Sequence, residues 1–211
     1  DGRAWGRGSC DIKGAAAAPL AVAETTKSPM ALLFTSDEEG AGGCCVRRFL
    51  ATEAAGDFGQ AVVCEPTGNR AVLSHRGYLS VLGHFNGTAG HSSAFRALDD
   101  SAVHAAGRWI AAAVDHCAAE AEAERHTCFN VGRISGGIKS NVIADGCDLH
   151  YSARLSPGQD NQALLDALST LAGAAQRAEW KVPFSGPPLP SGGRASDSAR
   201  AFAQHHGLDV T

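Results

Sequence analysis

The sequence predicts an α/β protein in which a mostly parallel sheet gives way to an α+β unit of ferredoxin-like order. Three observations carry this expectation. Acidic residues recur where small or apolar segments break into turns: Asp11, the run Asp37-Glu38-Glu39, and Glu65. Two of these follow short apolar runs, Ala31 to Phe34 and Ala61 to Cys64, which read as buried parallel strands with carboxylates at their carboxyl ends, where open α/β sheets bind ligands. Beyond Gly68-Asn69 the pattern changes to long alternating segments and two amphipathic helices in the order β-α-β-β-α.

Taken in order, Gly14 to Ala23 is alanine-rich and suits a helix, which Pro19 is expected to end or kink because proline costs about 3 kcal/mol in a helix interior. Gly43 to Ala55 reads as a second helix, with Val46, Phe49 and Leu50 on one side. Ala71 to Phe85 has the alternation of a long antiparallel strand. Ser101 to Ala123 is a helix whose buried face is expected at Ala102, Ala106, Trp109, Ala113 and Cys117. Thr127 to Ile134 and Leu149 to Leu155 are two further strands, and Asn161 to Ala175 is a helix with Leu164, Leu165, Leu168 and Leu171 inside. Val182 to Gly193, with four prolines, reads as an irregular return, and Ser196 to His206 as a final helix.

Composition excludes several classes. Apolar residues make up 44% of the 211 and charged residues 19%, as in folded globular proteins. No apolar run approaches the length of about 20 residues needed to cross a bilayer. The net charge of −4 and the absence of any basic cluster beyond Arg47-Arg48 argue against nucleic acid as a partner. Seven cysteines without a C-x-x-C pair suggest neither a disulfide framework nor a zinc finger, so a reducing, cytoplasmic setting is expected. The chain starts at Asp1 and its single methionine is Met30, so it reads as a segment of a longer polypeptide.

Six short motifs occur together in order: Gly6 to Gly14 around Ser9-Cys10-Asp11, Thr35-Ser36-Asp37-Glu38-Glu39-Gly40, Glu65-Pro66-Thr67, Ser74-His75-Arg76-Gly77, Gly87-Thr88-Ala89-Gly90-His91-Ser92-Ser93, and Gly136-Gly137-Ile138-Lys139-Ser140-Asn141-Val142-Ile143. In this combination the chain resembles the two-zinc deacylase and aminoacylase family. The resemblance implies a zinc-hydrolase domain over 1–69 and 178–211, with residues 70–177 inserted as a ferredoxin-like lid and dimerisation domain. It implies a metal-dependent hydrolase that removes the N-acetyl group from an acetylated amino acid, on the acetylornithine- and acetylcitrulline-acting branch serving arginine biosynthesis. Alternatives are a desuccinylase of succinyl-diaminopimelate, a dipeptidase, or a non-catalytic dimerisation or binding module.

By the same resemblance, Asp11 bridges two Zn2+ ions, with Co2+ an alternative occupant, and Glu39 and Glu65 are terminal ligands. Glu38 is the general base for the attacking water, and His91 reaches a partner subunit's site to steady the oxyanion. Asn141, Arg154 and the weaker candidate Lys139 hold the carboxylate of a small N-acyl amino acid; a planar guanidinium suits that task because it can make two parallel hydrogen bonds. Without the resemblance, Asp37-Glu38-Glu39 reads first as a solvated turn and His91 as a structural or exposed histidine, and Arg154 reads equally as part of a surface ion pair. His75-Arg76 reads as shaping the lid entry. The family's site also takes a histidine upstream of Asp11 and another near the carboxyl terminus. Neither has a counterpart in this chain, which is expected to be inactive by itself.

Overall fold

A computed structural model describes residues 2–35, 45–68, 70–122, 127–171, 177–190 and 192–210. In chain order the elements are α1 (Lys13–Thr25), α2 (Cys45–Leu50), a 3-10 turn (Glu53–Asp57), β1 (Gly77–Asn86), β2 (Gly90–His91), α3 (Ala97–Asp100), α4 (Ala102–Glu122), β3 (Cys128–Gly136), β4 (Val142–Ile143), β5 (Gly146–Leu155), α5 (Asn161–Ser169), β6 (Ala178–Gly186) and α6 (Arg194–His205). Two compact units result, one from residues 1–72 with 192–211 and the other from Leu73–Ser191.

The second unit holds the core. Its four-stranded antiparallel sheet has the order β3-β5-β1-β6, which together with α4 and α5 makes the βαββαβ arrangement of a ferredoxin-like fold. Strand alternation decides which side chains go inside. Leu79, Val81, Gly83 and Phe85 of β1 and Cys147, Leu149, Tyr151, Ala153 and Leu155 of β5 face the helices, while alternate residues such as Leu82, His84, Asp148, His150 and Arg154 lie on the other face. From α4 come Ala102, Ala105, Ala106, Trp109, Ala113 and Cys117, at helical spacing, and from α5 Leu164 and Leu168. The small residues let α4 approach the sheet closely around one large side chain. Trp109 meets Tyr151 and Trp180 at ring-centroid distances of 5.3 and 4.9 Å, and its Nε1 donates to Leu168 O at 2.8 Å. That bond ties α4 to α5 where water is excluded. The Tyr151 hydroxyl, also in this cluster, has no hydrogen-bond partner among the described residues, and burial pushes its pKa up.

Residues beyond the alternating segments fix the ends of the elements. Asp160 caps α5, its carboxylate accepting from Ala163 N at 2.8 Å. Asn161, buried, donates through Nδ2 to Tyr78 O, Ser185 Oγ and Gly186 O, joining the start of β1 to the end of β6. The strand β6 departs from the expected irregular return over Val182 to Gly193. Proline cannot donate to a ladder, but β6 is an edge strand whose register shifts between Ser80 and Leu82, and Pro183 is accommodated at that irregularity.

The first unit differs more from expectation. The runs Ala31 to Phe34 and Ala61 to Cys64 are not strands: they find no ladder partner among the described residues, and Val62 and Val63 are 90% and 77% exposed. A strand without a neighbour leaves its backbone groups to water, and apolar composition alone does not create the pairing. Helix α1 continues through Pro19 to Thr25, with no buried residue. Alanine on both sides propagates the helix well enough to carry the missing N–H. The expected helix over Gly43 to Ala55 is split, with α2 closing at Leu50 and Thr52 Oγ1 donating to Phe49 O at 2.7 Å before the 3-10 turn. In α6, Ala203 and Ser196 are buried.

Candidate functional site

The two-residue strands β2 and β4 pair antiparallel, Gly90 opposite Ile143 and His91 opposite Val142. Ser92 N donates to Asn141 O at 3.1 Å and Val142 N to Lys139 O at 3.1 Å. The glycine-rich turn after β3 therefore carries Lys139 and Asn141 to the strand beside His91. Three of the residues singled out in the sequence are thus brought to one end of the second unit's sheet, all exposed.

The segment leading to His91 reads in the sequence as a flexible glycine lead, and here the structure corrects it. Gly87 N donates to Asp145 O at 2.8 Å and Thr88 N to Asp100 O at 3.0 Å. Gly87 sits so close to neighbouring backbone that a Cβ there would lie 2.5 Å from Asp100 O and 2.7 Å from Ala102 N. The Arg96 guanidinium completes the fastening, donating to Ala89 O at 2.9 Å, to Thr88 O at 3.4 Å and to Asp100 Oδ2 at 2.5 Å. Arg177 approaches the other Asp100 oxygen at 3.9 Å. The sequence does not reveal that Arg96 and Asp100 fasten this loop. Their i, i+4 spacing is the one available signal, and it does not say that the arginine turns back onto loop carbonyls.

His91 itself is held by Ser93. Its Nδ1 lies 2.8 Å from Ser93 Oγ and accepts from Ser93 N at 3.3 Å.

Arg154 lies elsewhere. It pairs with Tyr78 on one side and Cys128 on the other, and its guanidinium sits 4.0 Å above the Tyr78 ring. That ring is backed by Phe184 at 5.8 Å. Arg76 Nη1 donates to Cys128 Sγ at 2.6 Å, so two guanidinium groups converge at this end of the sheet. Among the described residues no carboxylate forms an ion pair with either. The strand β5 separates Arg154 from the His91 end: from Gly146 to Arg154, at about 3.4 Å per residue, is roughly 27 Å.

On the outer sheet face, His84 Nδ1 lies 2.7 Å from Asp148 Oδ1, and this hydrogen bond raises the histidine pKa against a smaller opposing effect of burial. His150 Nε2 is 2.8 Å from Ser80 Oγ.

In the other unit, Asp11 lies in the turn before α1 and Glu65 in the irregular turn 63–67, where Glu65 N donates to Val63 O; both carboxylates are exposed. Glu38 and Glu39 fall outside the described residues. Among the described residues no three His, Cys, Asp or Glu side chains converge as a metal site would require. Two carboxylates do not fit a zinc ion by themselves, since such an ion takes four ligands in structural sites and three plus water in catalytic ones.

Residues 73–179 match the peptidase dimerisation domain of the M20 family. The N-acetyl-L-citrulline deacetylase of Xanthomonas campestris pv. campestris is 42% identical over 99% of this chain and 57% of its own length. The acetylornithine deacetylase of Myxococcus xanthus is 33% identical over 81% of this chain and 47% of its own. The chain spans about half the length of these curated relatives. Among solved structures, an aminobenzoyl-glutamate utilization protein from Klebsiella pneumoniae superposes with a TM-score of 0.51 at 18% identity, over 66% of this chain and 38% of the other. A hydantoinase/carbamoylase-family amidase from Burkholderia vietnamiensis gives 0.50 at 18% identity, over 67% and 35%. Both share the fold.

Proposed function

Because this chain belongs to the M20 peptidase family, with its dimerisation domain over residues 73–179, we propose that it is part of a homodimeric hydrolase that removes the acetyl group from an N-acetyl amino acid. Acetylcitrulline and acetylornithine are the substrates we favour, in arginine biosynthesis in the cytoplasm. Two relatives with those activities in their names, aligned along most of this chain, support the choice.

The observation that carries the homodimeric reading is the roughly 27 Å of strand β5 between Arg154 and the His91–Asn141–Lys139 end. One substrate can meet both groups only if they come from different chains. In this reading the unit 73–191, which includes β6, acts as lid and dimerisation domain and donates His91 and Asn141 to the partner's site, while residues 1–72 and 192–211 belong to the catalytic domain. Arg154 binds the substrate carboxylate with its planar fork, Asn141 and Lys139 hydrogen-bond the bound molecule, and His91 donates to the oxygen that becomes negative. Glu38 accepts the proton of the attacking water and passes it to the departing amine.

Asp11, Glu39 and Glu65 are our candidates for the metal-binding carboxylates. Zn2+, when bound, would polarise the acetyl carbonyl and lower the pKa of water. Incubating the full-length polypeptide with Zn2+ and a panel of acetylcitrulline, acetylornithine and succinyl-diaminopimelate tests the proposal. Amine release from one of the two acetyl substrates is expected. Absence of hydrolysis of both, in a preparation with about two zinc ions per chain, would refute it.

A further inference from the structure

We infer that Ser93 is a positioning residue that fixes the tautomer and ring orientation of His91, so that Nε2 carries the proton and points away from the lid as a hydrogen-bond donor. The argument is one of donors and acceptors. A backbone N–H can only donate, and Ser93 N lies 3.3 Å from His91 Nδ1 in hydrogen-bonding geometry. A proton on Nδ1 would face that N–H. The Ser93 hydroxyl, 2.8 Å from the same nitrogen, can rotate to donate as well. Nδ1 is therefore the acceptor of two bonds from a single residue, and the proton of the neutral imidazole resides on Nε2.

The arrangement is built for precision rather than for stability. His91 and Ser93 are both exposed, so neither bond is needed to satisfy a buried group. The strand carrying His91 is locked from behind by pairing to Val142 and by Arg96 on the Ala89 carbonyl, leaving the imidazole ring as the remaining freedom, which Ser93 removes. A neutral histidine with its proton on Nε2 can stabilise a developing oxyanion without first being protonated from solvent. This use of the donor rests on the deacetylase reading; the tautomer does not.

The test is 15N spectroscopy of the histidine-labelled chain at alkaline pH, where imidazoles are neutral. Wild-type His91 should show an unprotonated, pyridine-like Nδ1 and a protonated Nε2. Ser93→Ala, which keeps the backbone donor and removes the hydroxyl, should move the Nδ1 signal part of the way upfield as the second tautomer becomes populated, while Ser93→Thr, which keeps the hydroxyl, should leave it in place. A proton on Nδ1 in the wild type, or a Ser93→Ala spectrum identical to the wild type, would overturn the inference. Failure of the deacetylase reading would appear in the substrate panel and leave these spectra as they are, so the two outcomes are separable.

Discussion

A methyl group added at Gly90 should unlock the His91 segment through Arg96, and a double-mutant cycle can isolate the effect. Gly90 lies in β2 with no positive φ, so alanine meets no backbone penalty there. Its Cβ would overlap Arg96 Nη2, the atom that holds the Ala89 carbonyl, and the guanidinium, being the end of a flexible side chain, would swing away. The Arg96 and Asp100 side chains are 44% and 24% exposed, and the carbonyls they release can bind water. The ion pair is then worth at most about 1 kcal/mol, and the bonds to carbonyls add about 0.5 kcal/mol after discounting for solvent. Against this, Gly→Ala reduces unfolded-chain entropy by roughly 0.5 kcal/mol. Gly90→Ala should therefore cost about 1 kcal/mol in the wild type and stabilise slightly in an Arg96→Gln background, a coupling of about 1.5 kcal/mol. Urea unfolding of the four proteins measures it, and hydrogen exchange at Thr88 to Ser92 should accelerate in either single variant. Equal costs in both backgrounds, with coupling below about 0.3 kcal/mol, would show that the methyl clashes instead with Ile143 Cδ1, which lies 3.2 Å from the same position.

Further outcomes follow from the same structure. Tyr151→Phe removes a buried hydroxyl with no partner among the described residues and should raise lid stability by about 1 kcal/mol in thermal unfolding; a loss of that size would mean the hydroxyl is bonded. His84 should titrate by NMR above the ordinary histidine range. Because its folded pKa is raised, its contribution to stability is present below the unfolded pKa and fades as pH climbs through the folded one, and Asp148→Asn should remove the shift. On the proposed deacetylase reading, Glu38→Gln in the full-length polypeptide should leave the zinc content unchanged and lower turnover about 10²- to 10⁴-fold; a fall under tenfold rejects it as the base. Mixing His91→Ala and Glu38→Gln chains with subunit exchange should restore activity toward about a quarter of wild type, since half the dimers then hold one intact site, and no recovery despite exchange would place His91 in its own chain's site.

The second unit is legible in the sequence because its core obeys simple periodicity. The five residues expected on the inner face of α4, from Ala102 to Cys117, are all buried, and the alternation of Leu149 to Leu155 places Leu149, Tyr151, Ala153 and Leu155 inside. The strand β6 was missed because Pro183 argues against a strand unless its edge position is known, and edge position is a property of the whole sheet. Ala31 to Phe34 and Ala61 to Cys64 failed in the opposite way, since apolarity identifies a candidate strand but not its neighbour. Among the candidate residues, His91, Lys139 and Asn141 stand out in the sequence by their motifs, and β2–β4 pairing brings them together. The fastening by Arg96 and the separation of Arg154 from that group were not, because each depends on where a long side chain or a whole strand ends up in space.

The strands that enter and leave residues 73–191 run side by side. His75 N donates to Leu189 O at 3.2 Å and Leu189 N to His75 O at 3.0 Å, while Asn161 clasps the chain just inside them at Tyr78 and Gly186. The two ends of this unit therefore lie beside each other, with its own core closed behind them. A segment with neighbouring ends can be inserted into a host loop, or removed and replaced by a short turn, without stretching either partner. Evolution and protein engineering can both exploit that geometry: this lid is portable, and a chimera carrying it needs compatible spacing at only one point on the recipient.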